Sequence, residues 1–121
     1  LAIYGYAAYA PSKFALTAFS EVLRQELRPQ GIGVSVCFPP DTDTPQLAAE
    51  NRTKPPETRA LAGNASLLAP EVVADALLDG IARGRTWIFP NRSARLLAWV
   101  AGFAPGLVRA VVDREIRHTR R

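Results

Sequence analysis

Apolar residues recur at spacings of three and four early in the chain: Phe14, Ala15, Ala18, Phe19, Val22 and Leu23. Such spacing lays one apolar stripe along a helix and predicts a helix over residues 11–27. Pro11 suits a first turn, where its missing N–H costs no hydrogen bond. Pro29 and Gly31 stop the helix. The period then changes. Residues 33–38 form a short, β-branched, apolar run, as expected of a strand buried on both faces of a parallel sheet. Pro39 and Pro40 end it, because neither can donate to a ladder.

Residues 41–51 read as a loop with a short helix, with Thr44 as its cap and Pro45 at its first position. Residues 52–68 read as irregular and polar. A further helix is expected over residues 69–83, with Val72, Val73, Ala76, Leu77 and Ile81 on its apolar face and Gly84 closing it. Residues 86–89 predict a second buried strand. Two last helices are expected over 93–102 and 105–118. The order of elements is α/β. Two strands of buried type need neighbours and helices on both sides. The expectation is therefore the carboxyl-terminal part of a larger parallel sheet. The chain starts Leu1-Ala2-Ile3 and contains no methionine, which points to a continuation before Leu1.

Composition narrows this picture. The 121 residues are 48% hydrophobic, enough for a packed core, and no apolar run reaches the length of a membrane span. Cys37 is the single cysteine, so an internal disulfide and a cysteine-based metal cluster are excluded; it reads as a small buried hydrophobe. No metal site is expected. A reducing, cytoplasmic setting fits. The net charge is +4, and Arg92, Arg95, Arg109, Arg114, Arg117, Arg120 and Arg121 fall in the last third. No aromatic residues interleave with them in a nucleic-acid motif, so no nucleic-acid partner is expected. A membrane surface stays open, because Leu96, Leu97, Trp99, Val100, Phe103, Leu107, Val108, Val111 and Val112 lie among those arginines. The alternative is a helical pair that covers a sheet edge or an oligomer contact. Residues 93–121 are thus set apart as a helical extension.

The chemistry lies at Tyr9 and Lys13. Four residues apart at a helix start, they share one face. A tyrosine hydroxyl ordinarily ionises near pH ~10. A neighbouring ammonium and the positive end of the helix dipole both favour the phenolate. A tyrosine so placed is suited to act as a general acid in carbonyl reduction. Alone, the pair is a weak signal, since a surface tyrosine beside a solvated lysine has the same spacing.

The context is more specific. Tyr9-Ala10-Pro11-Ser12-Lys13-Phe14-Ala15-Leu16, with Gly5 and Ala8 before it, resembles the active-site segment of the short-chain dehydrogenase/reductase superfamily. The resemblance implies a Rossmann-type doubly wound parallel sheet, of which this chain holds two strands and their helices. It implies that Tyr9 is the catalytic acid/base and that Lys13 lowers its pKa and hydrogen-bonds the nicotinamide ribose. Ser12 is common at its position but is not the family's catalytic serine. After the first strand the family has Pro-Gly and then a threonine; here Pro39 matches, Pro40 replaces the glycine, and Thr42 and Thr44 match cofactor-contacting positions. Thr44 as a helix cap is compatible with that role.

Pro39-Pro40-Asp41-Thr42-Asp43-Thr44-Pro45, followed by Glu50-Asn51-Arg52-Thr53-Lys54-Pro55 and Glu57-Thr58-Arg59, resembles the 3-ketodihydrosphingosine reductase branch of the superfamily. That resemblance covers residues 5–59; beyond Pro70 only the order of elements matches. It implies an NADPH-dependent reductase, NADH not being excluded, acting on a lipophilic 3-keto sphingoid base. It also implies a homo-oligomer paired through the first helix. The pyrophosphate-binding glycine turn and the catalytic serine and asparagine are expected before Leu1, so the chain alone is expected to be inactive. Rival readings are a related enzyme acting on a steroid, sugar or acyl ketone, and a non-catalytic Rossmann-type scaffold. Three weaker signals remain. Asn51, Asn64 and Asn91 open glycosylation-type triplets without a secretory signal. Asp41 and Asp43 read as turn and cap residues. His118 reads as an exposed residue of a basic tail.

Overall fold

A computed structural model describes residues 2–62 and 67–120 of the chain. The triplet opened by Asn64 lies outside the described residues. Helix α1 spans Tyr9–Leu27, and a short 3-10 turn over Arg28–Gln30 follows it. Strand β1 is Val36–Cys37. Helices α2 (Pro45–Thr53), α3 (Pro56–Ala62) and α4 (Pro70–Ala82) come next, then strand β2 (Trp87–Ile88) and helices α5 (Arg92–Phe103) and α6 (Pro105–Thr119). The strands pair in parallel, Val36 beside Trp87 and Cys37 beside Ile88. The Val36 N–H donates to the Thr86 carbonyl at 2.7 Å and the Phe38 N–H to the Ile88 carbonyl at 2.9 Å. Parallel strands joined by a helical crossover bear out the α/β reading as part of a Rossmann-type sheet.

The boundaries need correction. Helix α1 begins at Tyr9, two residues before the expected start, so Pro11 is its third residue. The first four N–H groups of a helix have no partner within it, and the ring is tolerated there. Helix α2 runs to Thr53 rather than Asn51. The stretch 52–68 is not irregular throughout, for α3 forms within it. Pro56 occupies the first helical position and Glu57 meets the positive helix end, two start signals outweighed in the sequence by the polar surroundings. Both strands are shorter than expected.

Nor are the strands buried on both faces. Val36 and Cys37 are half-buried, and Trp87 is exposed while Ile88 is only 3% exposed. The α1 stripe is likewise open: Phe14, Phe19 and Val22 are exposed. Within α4, Val72 and Ile81 are exposed too, and the contact with β2 centres on Gly80 instead. Cys37 is half-buried, and burial pushes its thiol up, as suits a packing residue.

Two contacts tie distant parts together. Gly80 packs against Ile88 so closely that a Cβ there would lie 2.5 Å from the Ile88 side chain. Helix α6 packs chiefly on α3. Arg120 Nε donates to Glu57 Oε1 at 3.0 Å, and Arg120 Nη2 donates to the Tyr4 hydroxyl at 2.7 Å. The Glu57 carboxyl is held below the usual carboxylate range, first by its own backbone N–H and then by Arg120.

The Gly80 contact has a direct consequence. Gly80→Ala in the full-length protein is expected to destabilise by about 1–3 kcal/mol, the cost of overpacking a tight contact. Thermal unfolding measures it; an unchanged midpoint would mean that α4 and β2 do not meet as described.

Candidate active site

The site is built where β1 ends. Pro39 and Pro40 have no N–H, so the ladder stops and the chain leaves the sheet edge. The following segment is tied down by its backbone. Leu68 N–H donates to the Asp41 carbonyl at 3.2 Å, and Asp43 N–H donates to the Leu68 carbonyl at 2.9 Å, which forms a parallel bridge between Thr42 and Leu68. The Thr42 hydroxyl donates to the Pro40 carbonyl at 2.9 Å. Thr44 caps α2, its hydroxyl accepting from Leu47 N–H at 3.2 Å, with Pro45 in the first turn. Leu47 itself is buried.

These elements enclose a cleft of about 270 Å³ lined by Tyr9, the segment 39–42, Thr44 and the α2 residues Gln46, Leu47 and Glu50. The structure therefore brings Tyr9 together with Pro39, Pro40, Thr42 and Thr44. Lys13 does not line the cleft. Its ammonium sits over the Tyr9 ring, 5.0 Å from the ring centre, one turn along α1. The Tyr6 ring packs against the Tyr9 ring at 5.4 Å. The Ser12 hydroxyl is engaged with the Tyr9 carbonyl at 2.7 Å, a bond within the helix.

The turn that delivers Tyr9 is fixed separately. Gly5 has φ +84°, and a Cβ there would lie 3.0 Å from both Pro55 Cγ and Thr58 Oγ1. Both the backbone angle and the close approach require glycine. The Thr58 hydroxyl, almost fully buried, donates to the Tyr4 carbonyl at 2.7 Å.

Sequence reading missed Gln46, Leu47 and Glu50. Their signal was available, since Gln46 and Glu50 are four apart and Leu47 and Glu50 three apart, so all three share one face of α2. It also missed Lys54. That side chain is only 5% exposed and reaches Asp41 Oδ2 at 3.6 Å, joining the end of α2 to the cleft. Asp41 lies at a bend and carries that ion pair, while Asp43 donates its N–H to the Leu68 carbonyl beside the bridge instead of serving in a turn. Asn91 is the cap of α5, its Oδ1 accepting from Ala94 N–H at 2.8 Å. Among the described residues there is no cluster suited to a metal ion.

The residues present fit one end of a nicotinamide cofactor. Tyr9, Thr42 and Thr44 put hydroxyl groups around one open cleft, beside the flat apolar surface of Pro39 and Pro40.

Comparison with known proteins adds the following. A model of the short chain dehydrogenase family matches residues 1–55. The 3-dehydrosphinganine reductase of Danio rerio is 41% identical over 106 residues, covering 87% of this chain and 32% of the relative. The 3-ketodihydrosphingosine reductase of Dictyostelium discoideum is 45% identical over 103 residues, covering 85% of this chain and 30% of the relative. The Bos taurus 3-ketodihydrosphingosine reductase is 45% identical over 84 residues, 69% of this chain and 25% of the relative. The chain thus spans about a third or less of the length of these relatives. With the Danio and Dictyostelium proteins, the likeness reaches well past the residues 5–59 on which the motif resemblance rests. No solved structure matches.

Thr44 offers a local test. Thr44→Ala removes the α2 cap and is expected to cost about 1 kcal/mol, with Thr44→Ser close to wild type. Urea unfolding of the full-length protein would measure both; a harmless alanine would mean that the cap does not hold the cleft wall.

Proposed function

Because this chain belongs to the short-chain dehydrogenase family, we propose that it carries the proton-donating half of a ketone reductase's active site. The observation that supports this best is the shared cleft of Tyr9 and the segment from Pro39 to Thr44. The proposed substrate is a 3-keto sphingoid base such as 3-dehydrosphinganine, for which the Danio rerio reductase is named. NADPH is the proposed cofactor.

When bound, a reduced nicotinamide would supply the hydride that the ketone carbon takes up. Tyr9 donates its phenolic proton to the ketone oxygen, which becomes the alcohol. The Lys13 ammonium over the ring steadies the negative charge that develops on the phenol oxygen. Thr42, Thr44 and the two prolines would hold the nicotinamide end. Pro39 and Pro40 offer flat apolar surface, and their rings deny the segment two N–H groups that water would otherwise seek. No residue of this chain is assigned to the family's glycine turn, serine or asparagine. The exposed α1 stripe of Phe14, Phe19 and Val22 would pair with a second copy.

Full-length protein with 3-dehydrosphinganine and NADPH is expected to oxidise the cofactor, and Tyr9→Phe to lower kcat by roughly 10²–10⁴-fold, the usual contribution of a positioned acid. Equal rates would remove Tyr9 from the mechanism. Activity on steroid or sugar ketones but not on the sphingoid ketone would favour a different substrate class. Cofactor binding with no turnover of any ketone would favour a scaffold.

A second reading concerns residues 93–121, for which we propose peripheral contact with a membrane surface on the cytoplasmic side. No single described helix is long and apolar enough to cross a membrane, but α5 and α6 form a pair bent by 112°. Leu96, Trp99, Phe103, Leu107 and Val111 are exposed along it, with Arg92, Arg95 and Arg109 beside them. Apolar side chains among cations suit an anionic lipid interface. Full-length protein is expected to sediment with anionic liposomes, and Trp99→Ser/Phe103→Ser to release it. Binding unchanged by that pair of substitutions would reject the contact.

A further inference from the structure

Arg120 stands far from the cleft in sequence, yet both routes that shape the cleft lead back to it. The first runs through Tyr4. The guanidinium donates to the Tyr4 hydroxyl at 2.7 Å and lies over the ring, 5.2 Å from its centre. Tyr4 precedes the strained Gly5 turn. Beyond that turn the Tyr6 carbonyl accepts from Ala10 N–H at 2.8 Å, and the Tyr6 ring packs on Tyr9. The second route runs through α3. Arg120 Nε donates to Glu57 Oε1 at 3.0 Å. The start of α3 is joined by the stiff Pro55-Pro56 pair to Lys54, whose ammonium pairs with Asp41 in the cleft. Thr58 closes the loop between the two routes by donating to the Tyr4 carbonyl.

We propose that Arg120 is a positioning residue: one planar guanidinium locks the Tyr9 turn to α3 and, through the neighbouring pair of Lys54 and Asp41, to the cleft wall. The inference rests on the reading of that cleft as the active site. The chemistry favours arginine specifically. Its donors diverge from a rigid plane, so Nε and Nη2 serve two acceptors at once. A lysine ammonium reaches one acceptor at a time and has no such plane. Glu57 is little exposed on its side chain, 12%, whereas Arg120 is 56% exposed. The pair is therefore partly screened, and its effect on overall stability is modest. Its effect on geometry is larger, because the residues it joins lie 116 and 63 positions away in the chain. Neither route has another fixed link to α6 among the polar contacts of the described residues.

The test uses the full-length protein and two independent readings. In steady-state reduction, Arg120→Gln is expected to raise the ketone KM roughly three- to tenfold, the range for a half-exposed charge-assisted contact, with Arg120→Lys in between. Arg117→Gln, one turn away and outside the network, is expected to match wild type. A purely structural role would instead lower the amount of active enzyme and leave KM alone. In amide hydrogen exchange, without substrate, Arg120→Gln is expected to speed exchange in residues 4–8 and 55–62 together. An unchanged KM with unchanged exchange in both segments overturns the proposal, as does faster exchange in α6 alone. Should the wild type fail to reduce the sphingoid ketone, the functional reading fails, while the exchange result still decides whether Arg120 couples the two segments.

Discussion

Where β1 stops determines what the rest of the cleft can be. Two consecutive prolines cannot donate to a parallel ladder, so the strand ends at the ring of Pro39 and the chain must leave the sheet. It leaves into a segment whose own N–H and carbonyl groups are taken up by Leu68, and then into a helix whose first turn is capped by Thr44. Each step satisfies backbone groups that would otherwise be stranded near a partly buried edge. The outcome is a wall of fixed shape facing Tyr9. Replacing a Pro-Gly pair by Pro-Pro makes that exit stiffer, since the second position loses both its N–H and its freedom in φ.

The opposite wall depends on a different constraint. Tyr9 is the first residue of α1, and the helix sets Lys13 over its ring without any help from the cleft. What orients the helix start is the turn at Gly5, which is held from outside by Pro55, Thr58 and Tyr4. Tyr9 is thus aimed by residues that follow the cleft wall in sequence. Thr58 of α3 bonds the Tyr4 carbonyl, and Lys54, two residues before that helix, pairs with Asp41.

Much of this was legible in the sequence, for identifiable reasons. The Tyr9 and Lys13 pair, the Thr44 cap and the proline-bounded exit are local patterns, and local patterns are set by neighbours within four residues. Helix α4 was legible from its Pro70 start and closing Gly84, and α5 and α6 from their apolar residues and the Pro105 break between them. What escaped was long-range. Helix α3 is seven residues of polar character whose stability comes from packing on α6, so no periodicity in residues 52–68 announced it. The Arg120 contacts join residues more than sixty positions apart, and an arginine in a basic tail gives no sign of its partners. The burial of the strands was overestimated because an apolar run reports what a strand can bury, whereas among the described residues Trp87 stays exposed and Val36 only half-buried.

The central claim is that Tyr9 and the segment from Pro39 to Thr44 form one reaction cleft. A crystal structure of the full-length protein with oxidised cofactor and the product alcohol addresses it most directly. The account expects the Tyr9 hydroxyl within hydrogen-bond distance of the alcohol oxygen, with the nicotinamide ring against Pro39 and Pro40. A nicotinamide bound away from those prolines, or an alcohol oxygen held by another side chain with Tyr9 facing solvent, would contradict it.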